Sequence, residues 1–246
     1  MKLLRTTLRL NAASCLIFGA LFALAPQVVA DFLGAPIATR WLPALGAALI
    51  VNGLHLLWVA RAAAPHRLAV FYFTLGDLLW WLGTMALLAS DTLITRPQGQ
   101  AAALLVALMV AGFAVLQMWA IGRDDKSLAA IGQAWTRLPL WVRLWLVWLN
   151  LVFLIAPLAA PDLTRPILVA YLASAPLLFA QLAHDGGFRR LLGLGHLIPW
   201  TPLLIWLLTM PLTPYIGVLA LTLAICLAFD LFDLWRFGRG ARGLIA

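Results

Sequence analysis

Long apolar stretches alternate with short polar gaps along the whole chain, and the lengths of those stretches are the lengths a membrane demands. Eight runs stand out, at 10–29, 41–60, 68–90, 101–121, 141–160, 166–184, 197–212 and 214–235. A helix crossing a hydrocarbon core of about 30 Å needs roughly 20 residues. The pattern therefore predicts an all-α integral membrane protein with eight transmembrane helices. The seventh run is the shortest and carries Pro199, Pro202 and Pro211, the composition of a broken segment.

Composition removes the soluble alternative. Of 246 residues, 64% are hydrophobic and 11% charged, so a soluble domain would have to expose a mostly apolar surface. The net charge is +8, and all 9 acids are aspartate. The basic residues sit in gaps between runs and form no stripe beside exposed aromatics. Membrane lipid, not nucleic acid, is the expected partner. Cys15 and Cys226 both lie inside apolar runs without metal-ligand spacing, as small core hydrophobes do.

Charge position also orients the chain. With both termini cytoplasmic, all 17 Lys and Arg residues except Arg40, Arg96 and Arg165 fall on the inner side, the bias expected of a bacterial-type inner-membrane protein. Each of those three arginines shares its loop with an aspartate, Asp31, Asp91 or Asp162, which reads as a neutralised loop end. The opening "MKLLRTTLR", an apolar stretch and "VVA" before Asp31 also resemble a cleavable signal peptide. The second half of the chain repeats this region, which favours a retained first span.

That repetition has three parts. "QMWAIGR" (117–123) and "DLWRFGR" (233–239) end the fourth and eighth runs with Trp, Gly and Arg in register. Ala25-Pro26 with Asp31, and Ala156-Pro157 with Asp162, end the first and fifth at identical spacing. The pairs Asn52/His55 and Gln181/His184 occupy the second and sixth. The expectation is two parallel four-helix repeats, 1–123 and 139–246, joined by a cytoplasmic linker at 124–138.

Asp77 raises the chemical question. It lies ten residues past Arg67, about 15 Å along a helix, with no Lys or Arg at comparable depth. An unpaired ionised Asp there costs about 2.5–3.5 kcal/mol on insertion scales. The short 62–66 connection predicts that runs two and three are antiparallel neighbours, which places Asn52 level with Asp77 and His55 one turn nearer the cytoplasm. Thr74, Asp77 and Thr84 share a face flanked by Trp80 and Trp81, and Gly76 and Gly83 are read as points of close backbone approach. The expected site is therefore Asp77 with Asn52, His55, Thr74 and Trp81, either a proton or ligand station or interhelical glue.

Other groups of residues lie near the inner surface. Arg189, Arg190 and His196 lie within "FRRLLGLGHLIPW" (188–200), just after His184, and its arginines suit anionic headgroups. Asp230 and Asp233 form one Asp-x-x-Asp; metal–diphosphate enzymes use paired acidic motifs, and here the acids balance Arg236 and Arg239. The G-x-G-D motif of intramembrane aspartyl proteases is not met, because Thr74 stands at its first glycine. No H-x-x-E-H, C-x-x-C, G-x-S-x-G, phosphate loop or dinucleotide fingerprint occurs. Neither a resident metal nor a cofactor is expected. The expected role is handling a small solute or apolar ligand at a buried Asn52/Asp77 site, as a transporter-like protein, or serving as an accessory beside a partner membrane subunit. The alternatives are a redox, metal- or haem-binding protein that uses its histidines, and a structural scaffold.

Overall fold

The computed structural model describes residues 1–34, 39–90, 92–124 and 126–245. Asp91 and Asp125, read above as parts of an outer loop and of the linker, lie outside the described residues. Every regular element among those described is helical. Six helices are long and apolar enough to cross a membrane: Lys2–Leu24, Leu42–Arg61, Arg67–Ser90, Pro97–Ile121, Pro161–Asp185 and Pro214–Gly238. The chain is thus an all-α, multi-pass membrane protein. It divides into two units, Met1–Ile121 and Gly122–Ala246.

The first unit holds α1 (Lys2–Leu24), α2 (Pro26–Leu33), α3 (Leu42–Arg61), α4 (Arg67–Ser90) and α5 (Pro97–Ile121). The first apolar run differs from its expected bounds: α1 starts eight residues earlier, at Lys2, and stops at Leu24. Proline explains the stop. Pro26 has no N–H and clashes with a preceding turn, so Ala25 leaves helical geometry at φ −131° and ψ 47°, and Pro26 opens the separate α2. The end of α2 is pinned to the start of α5. Gly34 takes φ 76°, its carbonyl accepts from Thr95 Oγ1 at 2.8 Å, and the Leu33 carbonyl accepts from the Thr95 N–H at 3.0 Å.

Packing in this unit runs α3, α1, α5, α4. The expected side-by-side pairing of α3 with α4 is not what forms. A glycine seam explains the difference. A Cβ on Gly46 would lie 2.6 Å from the Gly19 carbonyl oxygen, one on Gly19 2.8 Å from that of Gly46, and one on Gly53 3.1 Å from that of Ala12. These three glycines let α1 and α3 meet backbone to backbone in antiparallel register, the small-residue packing that membrane helices favour. By contrast, a Cβ on Gly76 or Gly83 would meet nothing within 4 Å. The close approach expected at those two residues is absent, and α4 packs against α5 instead. Toward the 62–66 connection α3 and α4 do converge, where His55 contacts the rings of Tyr72 and Phe73.

The second unit holds α6 (Leu128–Arg137), α7 (Leu140–Leu154), α8 (Ala156–Ala159), α9 (Thr164–Asp185), α10 (Leu194–Leu207) and α11 (Pro214–Gly238). The stretch expected as a linker contains a capped helix: Ser127 Oγ accepts from the Ala130 N–H at 2.9 Å, ahead of a 108° bend between α6 and α7. The fifth run does not continue to residue 160, because Pro157 opens the one-turn α8. At 14 residues α10 is about 21 Å long, short of the hydrocarbon thickness. Phe153, Trp200, Ile167, Leu207, Leu219 and Leu223 are fully buried in the core of this unit. Trp200 Nε1 is fixed by donating to the Ala170 carbonyl at 3.1 Å, and the Tyr215 hydroxyl donates to the Val152 carbonyl at 3.0 Å.

The seam makes a direct prediction. Gly46→Val forces a branched side chain into the backbone of α1 and lowers stability by about 1–3 kcal/mol, the usual range for overpacking. Gly83→Ala enters open space and gains up to about 1 kcal/mol of helix propensity. Thermal melts of the two variants in detergent micelles should move in opposite directions.

Candidate functional site

Asp77 stands on the buried face of α4, and its carboxyl is reached from two other helices. Asn11 of α1 donates from Nδ2 to Oδ1 at 3.0 Å and to Oδ2 at 2.8 Å. Gln117 of α5 donates from Nε2 to Oδ2 at 2.7 Å. Both amides are fully buried and Asp77 is 5% exposed. Thr74 Oγ1 donates in turn to Gln117 Oε1 at 3.4 Å, and Ser14 Oγ to the Asn11 carbonyl at 2.8 Å. No Lys, Arg or His among the described residues forms an ion pair with this carboxyl. Hydrogen bonds to a charged group contribute about 1.5–3 kcal/mol each, so the two amide donors, Asn11 and Gln117, offset much of the cost of burying the group between helices.

The expected companions of Asp77 are close by but play other parts. Asn52 reaches the network only at its edge, where Nδ2 donates to Cys15 Sγ at 3.6 Å and that thiol donates to Asn11 Oδ1 at 3.7 Å. His55 is not a partner of the carboxyl. Its ring sits among Trp58, Tyr72 and Phe73, with centroids at 5.9, 5.8 and 4.9 Å. Trp81 is buried in the helix packing and Thr84 bonds back to the Trp80 carbonyl at 2.9 Å. Asn11 and Gln117, which hold the site, were not among the residues singled out from the sequence. Both are amides inside apolar runs, which is the signal that marks them.

Because the glycine seam draws α3 onto α1, a gap is left between α3 and α4. It forms a cleft of about 390 Å³. Asn11, Ser14, Cys15 and Phe18 of α1 lie along it, with Val106 and Val110 of α5; Leu45, Ala48, Leu49 and Asn52 come from α3; Tyr72, Phe73, Leu75, Gly76, Asp77, Leu79 and Trp80 come from α4. The walls are apolar and aromatic. The polar groups cluster at Asn11, Ser14, Asn52 and Asp77. Leu75 and Leu79 are 57% and 59% exposed, and Gly76 leaves the space beside them open.

The second unit gathers the candidates expected near the inner surface into two groups. In the first, around Asp185, the last residue of α9, His184 Nδ1 lies 2.8 Å from its Oδ1 and Arg189 Nη1 3.5 Å. The chain at Gly122 and Arg123 is held there as well, since the Arg123 N–H donates to the His184 carbonyl at 2.9 Å. In the second, Arg190 pairs with Asp233 at 3.2 Å, while His196 Nδ1 meets Asp230 Oδ2 at 3.1 Å. Cys226 Sγ donates to the same oxygen at 3.6 Å. Trp148 and Asn150 bond within this unit to Thr222 and Tyr171. His66 accepts from the Leu68 N–H at the start of α4, a capping role.

No family model, curated protein or solved structure matches this chain. Function must therefore be argued from the sites alone.

The Asp77 network predicts a specific coupling pattern. A double-mutant cycle between Asn11→Ala and Asp77→Ala, read from stability in micelles, should give an interaction of about 1–3 kcal/mol, the cost of stranding a buried polar partner. The cycle between His55→Ala and Asp77→Ala should be additive within about 0.5 kcal/mol.

Proposed function

We propose that this is a bacterial-type inner-membrane protein whose first unit binds a small amphiphile, with the apolar body in the α3/α4 cleft and a hydrogen-bond-donating head at Asn52 and Asp77. The observation that carries the reading is the placement of a carboxyl with no ion-pair partner among the described residues beside an apolar cleft whose mouth is flanked by exposed leucines. Lipid tails are as apolar as leucine, so a hydrocarbon body gains little by leaving lipid for the cleft. Discrimination has to come from the polar end. A carboxylate offers about four acceptor sites, and the amides of Asn11 and Gln117 occupy three of them. Asn52 donates to the Cys15 thiol and keeps its carboxamide oxygen for a ligand. The free acceptors of both side chains call for a head with N–H or O–H groups, and Phe18, Tyr72, Phe73 and Trp80 favour a positive charge on it.

The charge asymmetry supports cytoplasmic termini. The paired motifs of the two halves support an internal repeat, in which α7 and the short α10 serve as the two irregular passes of an eight-pass chain. A transporter-like protein or an accessory subunit that presents a lipid-soluble ligand to a partner both follow from such a site.

Gly76 supplies the test, because it borders the cleft and a side chain there meets nothing in the protein. In lipid nanodiscs, a fluorescent long-chain primary amine should bind the wild type saturably. Gly76→Leu should weaken that binding at least tenfold with an unchanged melting temperature, and Asp77→Asn should weaken it as well. Equal, non-saturating uptake by wild type and Gly76→Leu would assign the signal to surrounding lipid and defeat the reading.

A further inference from the structure

We propose that His196, Cys226 and Asp230 form a binding site for one divalent transition-metal ion of the zinc class in the second unit. The three residues come from two helices, His196 from α10 and the other two from α11. Their ligand atoms, an imidazole nitrogen, a thiol sulfur and a carboxylate oxygen, all lie within 4.8 Å of one another. Cys226 and Asp230 are four residues apart, one helical turn, so both project from the same face of α11.

The distances of the hydrogen bonds now joining these groups are also those a metal polyhedron needs. Zinc bonds nitrogen and oxygen ligands at about 2.0 Å and thiolate at about 2.3 Å in tetrahedral geometry, so the N···O and S···O edges of the polyhedron are about 3.3 and about 3.5 Å. The observed His196–Asp230 and Cys226–Asp230 separations are 3.1 and 3.6 Å. Two of three edges are in place before any ion enters. The third closes with a side-chain rotation on the scale of an ångström. Nitrogen, sulfur and oxygen together select zinc, cobalt or copper over magnesium and calcium, which take oxygen alone.

The surroundings hold the ligands in position. The His196 ring stacks on Trp200 with centroids 4.1 Å apart, and Trp200 is itself anchored to the Ala170 carbonyl. Gly193 lies so close to Asp230 that a Cβ there would stand 2.8 Å from the carboxylate oxygen Oδ1. The neighbouring Asp233 is engaged by Arg190, which leaves Asp230 as the acid free to ligate. His196 and Asp230 are part-exposed while Cys226 is buried, so an ion has a path in. Three protein ligands leave a fourth tetrahedral position for water or a small ligand, the arrangement of zinc sites that do more than hold a fold. Binding releases the thiol proton, as thiolate ligation requires.

The experiment uses the full chain in detergent, stripped with a chelator and titrated with Co(II). One equivalent should bind and produce the near-ultraviolet thiolate-to-cobalt charge-transfer band, and Zn(II) should then displace it. Cys226→Ser should abolish the band, and Asp230→Asn or His196→Gln should weaken binding at least tenfold. His66→Gln, in the first unit, should leave both band and affinity as in the wild type. Each variant's melting temperature without metal checks that it is folded. A wild type that binds no cobalt, or a band that survives Cys226→Ser, would overturn the assignment and leave the cluster as a hydrogen-bonded contact between α10 and α11.

Discussion

A carboxyl group placed between membrane helices must find its donors in other helices, since no water and no spare backbone N–H stand in for them. Asp77 meets that constraint by recruiting one amide from α1 and one from α5. The consequence is mechanical as well as electrostatic. Asn11 and Gln117 are bound to the same carboxylate, so the positions of α1, α4 and α5 are specified together, and any rotation of one helix strands a buried polar group. Apolar packing alone is permissive about rotation, because leucine meets leucine equally well at many angles. The polar node removes that freedom.

The glycine seam completes the arrangement from the opposite side. Gly19, Gly46 and Gly53 bring α3 against α1, and α4 is committed to α5. The two helices that are sequence neighbours, α3 and α4, are thereby drawn apart along most of their length while still tied by a short connection at one end. A wedge-shaped gap follows, and its apex carries the His55 aromatic contacts. The cleft is thus a by-product of two strong packing choices made elsewhere, and Gly76, which approaches nothing, keeps it open.

The helical class, most of the spans and the buried location of Asp77 were all legible in the sequence, because run length and the placement of charge report them directly. The partners of Asp77 were not. Asn11 was overlooked because the first run was read as starting at residue 10, which makes that residue part of the run's end; with α1 starting at Lys2 it lies well inside the helix. Gln117 was read only as the first residue of the repeated "QMWAIGR" and not as a partner for Asp77, because α5 was not expected to pack beside α4 as it does. Asn52 and His55 were preferred on the assumption that a short loop makes neighbours. Glycine placement decides that question, and Gly46 and Gly83 look alike in a sequence. The inner-surface group was legible as residue types, but the part of Cys226 was not, since a cysteine in an apolar run looks like any small hydrophobe.

The two units face the same difficulty, an aspartate among apolar helices, and answer it with different chemistry. Around Asp77 the donors are carboxamides, which neither titrate nor ligate soft metals, and the walls are hydrocarbon and aromatic. Such a node suits recognition by hydrogen bond and charge. Around Asp230 the donors are an imidazole and a thiol, groups that exchange protons for metal ions readily, and an arginine pair holds the second acid aside. A carboxamide in place of His196 would satisfy the same carboxylate at lower cost in reactivity. The presence of imidazole and thiol where amides would serve structure equally well is what separates the second cluster from simple interhelical glue.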